Sequence, residues 1–386
     1  MKSKKLWVIA VSAMSITLIL SCGGGGGGGG GTASAGGAGG ATQYVGTASP
    51  GDVFNVLSAN GKIVIAMETS NPATGVPTGT NYFLGDITSL PTTGFKKISI
   101  TSSSDTTIPL ASYPLIAYGY EAAGTALVLK PADNPAANAV MTLSRGDCIT
   151  TGSYTYNFVN LPGTAAWTQG TLGGAVGSQA YGVANVTVGA NGSSWTNTGP
   201  TSTWDLAGNF ITPGNTTTAE CALGVTLFPG GTGKMFITAS GLFIGDNGSG
   251  QGGFVGMKQP ASAVNWTDVT ASGRKFRGLV FKSGALGTTG NDRTQPVFAD
   301  GDGMGNLNAG SYSNVETGIV AAGSGGTIAL TSQTTNGILQ VSMTPAAGPA
   351  QPTTMMINTV NGKYVIFGIG WDTGTTAPYH FLLMEQ

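Results

Sequence analysis

Very few side chains in this sequence are of the kinds that carry out catalysis. General acid–base and nucleophilic catalysis most often depend on histidine, and the only histidine of the 386 residues is His380, with no serine or cysteine nucleophile beside it. The sequence also lacks the Gly-x-Ser-x-Gly pattern of hydrolases with a nucleophile elbow. We therefore interpret His380 as a structural residue and expect that the chain is not an enzyme.

The segment 300–308 (DGDGMGNLN) alternates carboxylate and amide side chains, whose oxygens are the ligands that calcium prefers. Gly305 fits the sixth position of a calcium loop, but Met304 stands where Asp or Asn is needed and Ser311 where a bidentate Glu is needed. One histidine and widely separated cysteines also provide no spaced zinc ligands. We expect a glycine-rich turn here and no metal site.

Residues 229–234 (PGGTGK) look superficially like a phosphate-binding loop. Phe228 replaces the first glycine of that motif, and Met235 replaces its final Ser or Thr. The sequence therefore predicts no nucleotide and no other cofactor.

The chain carries 16 basic and 17 acidic residues, so it lacks the basic surface typical of nucleic-acid-binding proteins. Five basic residues do cluster, either as a solvated strand face or as a contact for an anionic polymer or lipid headgroup: Arg274, Lys275, Arg277, Lys282 and Arg293. Five tryptophans are either core residues or stacking platforms for sugars: Trp167, Trp195, Trp204, Trp266 and Trp371.

The N-terminus has the pattern of an export signal. Three lysines within the first five positions precede an uncharged, largely apolar run from Leu6 to Leu20, which is shorter than the about 20 apolar residues of a membrane-spanning helix. The following residues, Ile19-Leu20-Ser21-Cys22, resemble the lipobox of bacterial lipoproteins. The resemblance implies that residues 1–21 are a lipoprotein signal peptide and that acyl chains such as palmitate are attached to Cys22.

Residues 22–43 follow as a predicted flexible tether. Gly23–Gly31 is an unbroken glycine run, and Gly, Ala and Ser continue to about Ala41, with a reach of roughly 25 Å for a coil of this composition. Enterobacterial lipoproteins with Asp after the acylated cysteine are retained at the inner membrane, so Gly23 implies the outer membrane. The sequence leaves open whether the protein faces the periplasm or is displayed at the cell surface.

The remaining two cysteines, Cys148 and Cys221, would lie in an oxidising compartment, where pairs of cysteines usually bridge. We predict a disulfide bond between them. It would close a loop of about 74 residues and stabilise the fold by roughly 4 kcal/mol.

Beyond the tether the sequence predicts an all-β protein. With 65 glycines, long helices are improbable, and short Val-, Ile-, Thr- and aromatic-rich runs alternate with turn residues, as in Lys62–Met67 and Ile338–Met343. The final run alternates two apolar faces, one with Tyr379, Phe381 and Leu383, the other with Leu382 and Met384. That strand is predicted to be covered on both sides.

Three similar segments, which begin at Gly124, Gly233 and Gly362, each read as two strands joined by a polar turn and suggest a repeat of about 115–125 residues. We therefore predict tandem antiparallel β-barrel or β-sandwich modules over residues 44–150, 151–262 and 272–386. A chain this poor in charge favours closed barrels, because open sheet edges would invite edge-to-edge pairing.

An acylated cysteine, a glycine tether and barrel modules resemble the transferrin-binding-protein type of surface lipoprotein, and GGFVGMK (252–258) is similar to a closing barrel strand in that family. The resemblance implies a β-rich binding or structural lipoprotein at the outer membrane, held by its lipid, with an unidentified protein or glycan partner. Two alternatives stay open: a carrier that encloses an apolar small molecule in a barrel, and an envelope glycan hydrolase with two convergent carboxylates.

Overall fold

The computed structural model describes the following parts of the chain: residues 42–48, 53–70, 77–122, 126–131, 141–144, 152–160, 181–189, 192–196, 216–222, 225–230, 233–237, 242–246, 253–282, 294–335, 337–372 and 377–386. Nearly all of these residues lie in antiparallel strands. The strands form three barrels within one compact unit, residues 37–386.

The first barrel is an eight-stranded meander in which each strand pairs with the next, and pairing of the first and last strands closes the ring. Its strands are β1 (Thr42–Ala48), β2 (Val53–Ala59), β3 (Lys62–Ser70), β4 (Pro77–Ser89), β5 (Lys96–Ser103), β6 (Leu115–Ala122), β7 (Ala126–Pro131) and β8 (Met141–Ser144).

The second barrel has the same connectivity and is closed by pairing of β9 with β16. Its strands are β9 (Gly152–Asn160), β10 (Tyr181–Gly189), β11 (Gly192–Thr196), β12 (Thr216–Ala222), β13 (Val225–Gly230), β14 (Gly233–Ile237), β15 (Leu242–Asp246) and β16 (Gly253–Lys258). The segment 252–258, interpreted from sequence as a closing strand, supplies β16.

The third barrel is closed by pairing of β17 with β25 and of β18 with β19. Its strands are β17 (Lys275–Lys282), β18 (Thr294–Gly301), β19 (Asn306–Asn314), β20 (Ile319–Val320), β21 (Gly326–Thr335), β22 (Ile338–Pro345), β23 (Gln351–Val360), β24 (Lys363–Asp372) and β25 (Ala377–Glu385). The two-residue strand β20 pairs only with the outer part of β19.

Helical structure is limited, among the described residues, to α1 (Trp266–Val269) and a 3₁₀ turn at Leu110–Ser112. No helix in the described part of the chain is long and apolar enough to cross a membrane. The sequence prediction of an all-β fold is confirmed, and the structure forms barrels where sandwiches were also considered. One detail was wrong: the segment that begins at Gly233 contains three strands, β14 to β16, rather than two.

The last strand has an apolar side chain at both of its faces. Tyr379, Phe381 and Leu383 point into the third barrel, where they join a buried cluster. Leu382 and Met384 point outward and are almost fully buried in a second cluster. The prediction that this strand is covered on both sides is therefore confirmed.

This outer cluster joins the three barrels. Strands β22 to β25 and β17 contribute the third barrel's residues to this cluster. The first barrel adds Phe95 and Tyr120, and the second adds Leu242 and Met257. The barrels therefore share one apolar interface core instead of meeting through polar surfaces.

The turn between β19 and β20 reaches from the third barrel onto the first. Val315 is buried there, and its carbonyl accepts a hydrogen bond of 2.9 Å from the hydroxyl of Thr93. Glu316 accepts from the Tyr118 hydroxyl at 2.6 Å and pairs with the Lys97 ammonium at 2.8 Å. We call this contact, formed by residues 315–318 with the first barrel, the latch.

Candidate ligand site in the first barrel

The cysteines singled out by sequence lie mostly beyond the described residues. Cys22 and Cys148 are outside them, whereas the backbone of Cys221 lies in β12 opposite Thr226. Acylation of Cys22 and a disulfide between Cys148 and Cys221 therefore stay predictions.

The possible calcium loop is a self-contained turn between β18 and β19. The two carboxylate oxygens of Asp302 accept hydrogen bonds from the backbone N–H groups of Met304 and Asn306 and from the Asn306 side chain. These bonds hold the pKa of Asp302 below its usual value. Asp300 instead pairs with the guanidinium of Arg277. The carboxylates of Asp300 and Asp302 therefore bind different groups of the protein and are not directed at a common ion.

The residues that look like a phosphate loop form a β-hairpin. Pro229 pairs with Lys234 and Gly230 with Gly233 across the turn between β13 and β14. A phosphate loop needs a helix whose N-terminal amides face the ligand, and a β-strand follows here instead.

Two members of the basic cluster are paired with carboxylates of the chain itself. Arg274 contacts Asp268 at 2.8 Å and Glu385 at 2.5 Å, and Arg277 pairs with Asp300. Trp266 is a core residue, since it is 8% exposed and its indole N–H donates to the carbonyl of Gly305 at 2.8 Å.

Each carboxyl side chain that the structure describes accepts a hydrogen bond or pairs with a cation. These residues are Asp86, Asp105, Glu121, Asp268, Asp300, Asp302, Glu316 and Glu385. No group of three or more His, Cys, Asp or Glu residues in the described regions is arranged to hold a metal ion.

The interior of the first barrel is the candidate binding site. Tyr44, Val56, Ile63 and Ile98 form a buried apolar layer in it. Four further side chains pack against this layer from the inner face but remain partly accessible to solvent: Met67, Phe83, Leu115 and Ala117. We call the part of the barrel interior that these four residues line the lumen.

Among the described residues, the hydroxyl of Tyr113, at the Leu115 end of the barrel, has no hydrogen-bond partner. Tyr113 lies just before β6 and packs against the interior cluster. Its hydroxyl is buried and makes no hydrogen bond within the described structure. A buried polar group without a partner is costly, and a ligand oxygen or nitrogen would satisfy it.

The opposite end of the lumen is charged. Glu121 accepts a hydrogen bond from the Tyr44 hydroxyl and pairs with the ammonium of Lys96. Leu115 and Glu121 point to the same side of β6, six positions apart, or about 20 Å along the strand. The lumen therefore has an apolar end beside Tyr113 and an ionic end at Glu121.

The interior of the third barrel contains large aromatic side chains that pack against glycines. The ring of Phe381 occupies the space where a Cβ on Gly368 would lie, and the ring of Tyr379 does the same at Gly370. Helix α1 places Trp266 among these buried residues.

Sequence reasoning did not identify the lumen residues. Phe83 lies in β4, Tyr113 in the connection before β6, and Ala117 in β6. Pairing of both strands with β5 brings them together. The apolar alternation in Leu115, Ala117 and Gly119 was the available signal, but it does not distinguish a packed from an accessible interior.

Comparisons with known proteins give only distant likenesses. No protein-family model matches the chain, and no curated protein matches it. Among solved structures, a protein of unknown function from the DUF3598 family of Nostoc punctiforme PCC 73102 is 8% identical, with 90% of this chain and 94% of that chain covered and a TM-score of 0.21.

Two structures of transferrin binding protein B also match. The protein from Haemophilus parasuis Hp5 is 10% identical over 87% of this chain, with a TM-score of 0.28. The intact Ap-TbpB, with N and C lobes, is 9% identical over 87%, with a TM-score of 0.22. The chain spans 66% and 67% of the lengths of these proteins, and at these scores the likeness supplies no argument about function.

Proposed function

We propose that this protein is a lipid-anchored, non-enzymatic binding protein of the bacterial outer membrane that carries an apolar small molecule in its first barrel. The observation that carries the proposal is the partial exposure of the inward-pointing residues Met67, Phe83, Leu115 and Ala117. An eight-stranded barrel is just wide enough to hold either its own side chains or one small ligand.

The polar groups of the lumen indicate what kind of apolar molecule would fit. Ligand pockets are usually apolar with a few polar groups that fix orientation, and the free Tyr113 hydroxyl is such a group. The ligand would place its apolar body against Phe83 and Leu115 and a single hydroxyl or carbonyl group against Tyr113.

Filling the lumen tests the proposal. The fluorescent apolar probe N-phenyl-1-naphthylamine should bind the full chain, and an Ala117→Trp variant should bind it at least tenfold more weakly, because the indole would occupy the space. The measurement is a fluorescence titration at fixed protein concentration. Thr88→Trp is the matched control, since Thr88 is exposed on the outer side of β4.

Two results would contradict the lumen site. One is equal probe binding by the wild-type and Ala117→Trp chains. The other is no probe binding by the wild type together with loss of about 1–3 kcal/mol of stability in the Ala117→Trp variant, the penalty for overpacking a filled core.

Attachment to the membrane rests on Cys22 and is tested separately. Cys22→Ala should move the protein from the membrane fraction to the soluble fraction of lysed cells, and the wild-type N-terminal peptide should carry acyl mass. Retention of Cys22→Ala in the membrane fraction would refute the anchor without bearing on the ligand site.

A further inference from the structure

A nearly buried arginine at the interface between the first and third barrels has unused hydrogen-bonding capacity. Arg277 is 8% exposed and lies on the outer face of β17. Its Nη1 donates to the Phe276 carbonyl at 2.7 Å and pairs with Asp300. Its Nε is buried and has no hydrogen-bond partner among the described residues.

The position of these contacts leaves one edge of the guanidinium available. Nη1, which holds both contacts, lies on the side of the group toward Cδ, whereas Nε and Nη2 form the opposite, side-on edge. Two parallel N–H donors on one edge match the two oxygens of a carboxylate. Asp300 pairs with the charge of Arg277, but a buried N–H group without a hydrogen-bond partner is still unfavourable.

Aromatic rings surround this arginine. The guanidinium lies 5.7 Å from the ring centre of Phe298, which in turn lies 5.3 Å from Tyr312. Phe95, from the first barrel, contacts Tyr312 at 5.9 Å and Tyr120 at 5.4 Å. Side chains of both barrels therefore surround Arg277, and we call the region between them the crevice.

Two phenols in the crevice are further donors. Burial raises the pKa of Tyr120 to about 12 and raises the pKa of Tyr312, and in both cases the charge of Arg277 opposes the rise. Glu385 adds to the rise for Tyr120, and Asp300 adds to the rise for Tyr312. With their pKa values raised, both phenols remain protonated and able to donate at neutral pH.

We propose that this crevice is a second binding site, independent of the barrel lumen, and that it takes a carboxylate on the Nε–Nη2 edge of Arg277 with the hydroxyls of Tyr120 and Tyr312 as additional donors. A monovalent carboxylate suits the apolar walls better than phosphate, because desolvation of a more highly charged anion is more costly.

The test uses benzoate as the probe and saturation-transfer NMR on the full chain. Wild-type protein should bind benzoate more tightly than phosphate. Tyr312→Phe, which retains the ring packing and removes only the hydroxyl, should weaken benzoate binding by roughly tenfold, as expected for loss of a hydrogen bond to a charged group. Arg277→Lys, which keeps the charge but lacks the two-donor edge, should weaken it further.

Two control variants distinguish binding in the crevice from binding in the lumen and from a general disturbance of the interface. Tyr118→Phe removes a hydroxyl from the same interface, where it binds Glu316, and should leave benzoate binding unchanged. Ala117→Trp, which fills the lumen, should also leave it unchanged. Absence of benzoate binding, equal or tighter binding of phosphate, unchanged binding by Tyr312→Phe, or loss of binding by Ala117→Trp would each overturn the proposal.

Discussion

Arg274 shows how single side chains hold one end of the third barrel together. Its guanidinium bonds both oxygens of Asp268 and one oxygen of Glu385, and it lies 5.0 Å from the ring centre of Tyr364. The Tyr364 hydroxyl donates to Asp268 at 2.6 Å. This bond, and after it the bond from Arg274, holds the pKa of Asp268 below its usual value.

Arg274→Met should lower the free energy of unfolding by about 2 kcal/mol, a value between those of exposed and buried ion pairs. The reason is that Glu385, only 9% exposed, loses its cation. Urea denaturation measures the effect. Lys62→Met is the matched control, because the side chains of Lys62 and Asp86 are 73% and 45% exposed. Equal losses in the two variants would contradict this account.

At the scale of the element, two turn glycines with the same backbone angle differ in their surroundings. Gly337, between β21 and β22, and Gly362, between β23 and β24, both have φ of +77°. A Cβ on Gly337 would lie 2.6 Å from Cδ of Pro260, in the segment that follows β16, whereas a Cβ on Gly362 would meet nothing within 4 Å.

Alanine variants of Gly362 and Gly337 distinguish the cost of backbone strain at positive φ from the cost of steric overlap with neighbouring atoms. Gly362→Ala should destabilise the protein by about 1 kcal/mol, the cost of a side chain at positive φ. Gly337→Ala should lose a further 1–3 kcal/mol, roughly the penalty for overpacking. Thermal or urea unfolding of the two variants measures the difference. A Cβ on Gly337 would also lie 2.9 Å from the carbonyl oxygen of Ile357, so equal stability would show that both Pro260 and this carbonyl move aside freely.

Several strands could be predicted from sequence because they are short apolar runs bounded by turn residues, such as Ile338–Met343 within β22. The 13-residue strand β4 (PTGTNYFLGDITS) could not, because its Gly, Pro and Asn residues resemble a loop. Pairing of residues 77–86 with β3 and of residues 83–89 with β5 keeps it extended.

The candidate sites were harder to predict than the strands. Arg277 was visible only as one member of a basic cluster, and its partners Asp300 and Phe298 lie on the neighbouring strand β18. The sequence contains no local pattern that places Tyr120 of the first barrel beside Tyr312 of the third, because the shared interface core brings these strands together. Tertiary packing, not local spacing, creates both sites.

At the scale of the whole molecule, the latch couples the first and third barrels through charge. The Lys97 ammonium, and after it the Tyr118 hydroxyl, lowers the pKa of Glu316. A carboxyl with a lowered pKa stabilises the folded state above its unfolded value, near 4.3 for Glu, and this contribution is lost as the pH falls through the lower folded value.

Glu316→Gln should therefore lower the free energy of unfolding by up to about 1 kcal/mol at pH 7, as expected for a partly exposed ion pair. The gap between wild type and variant should shrink progressively as the pH falls from 5 to 3. Urea denaturation at several pH values measures it. A gap that stays constant over this range would show that Glu316 acts through packing rather than charge.

The shared interface core also imposes a sequence of events on biogenesis. Strands β22 to β25, which cover the apolar sides of the first two barrels, follow both barrels in the chain and are made after them. Until then Phe95, Tyr120, Leu242 and Met257 have no cover, and exposed apolar surface of this kind promotes aggregation. The first two barrels therefore present exposed apolar surface until the strands of the third barrel have been made.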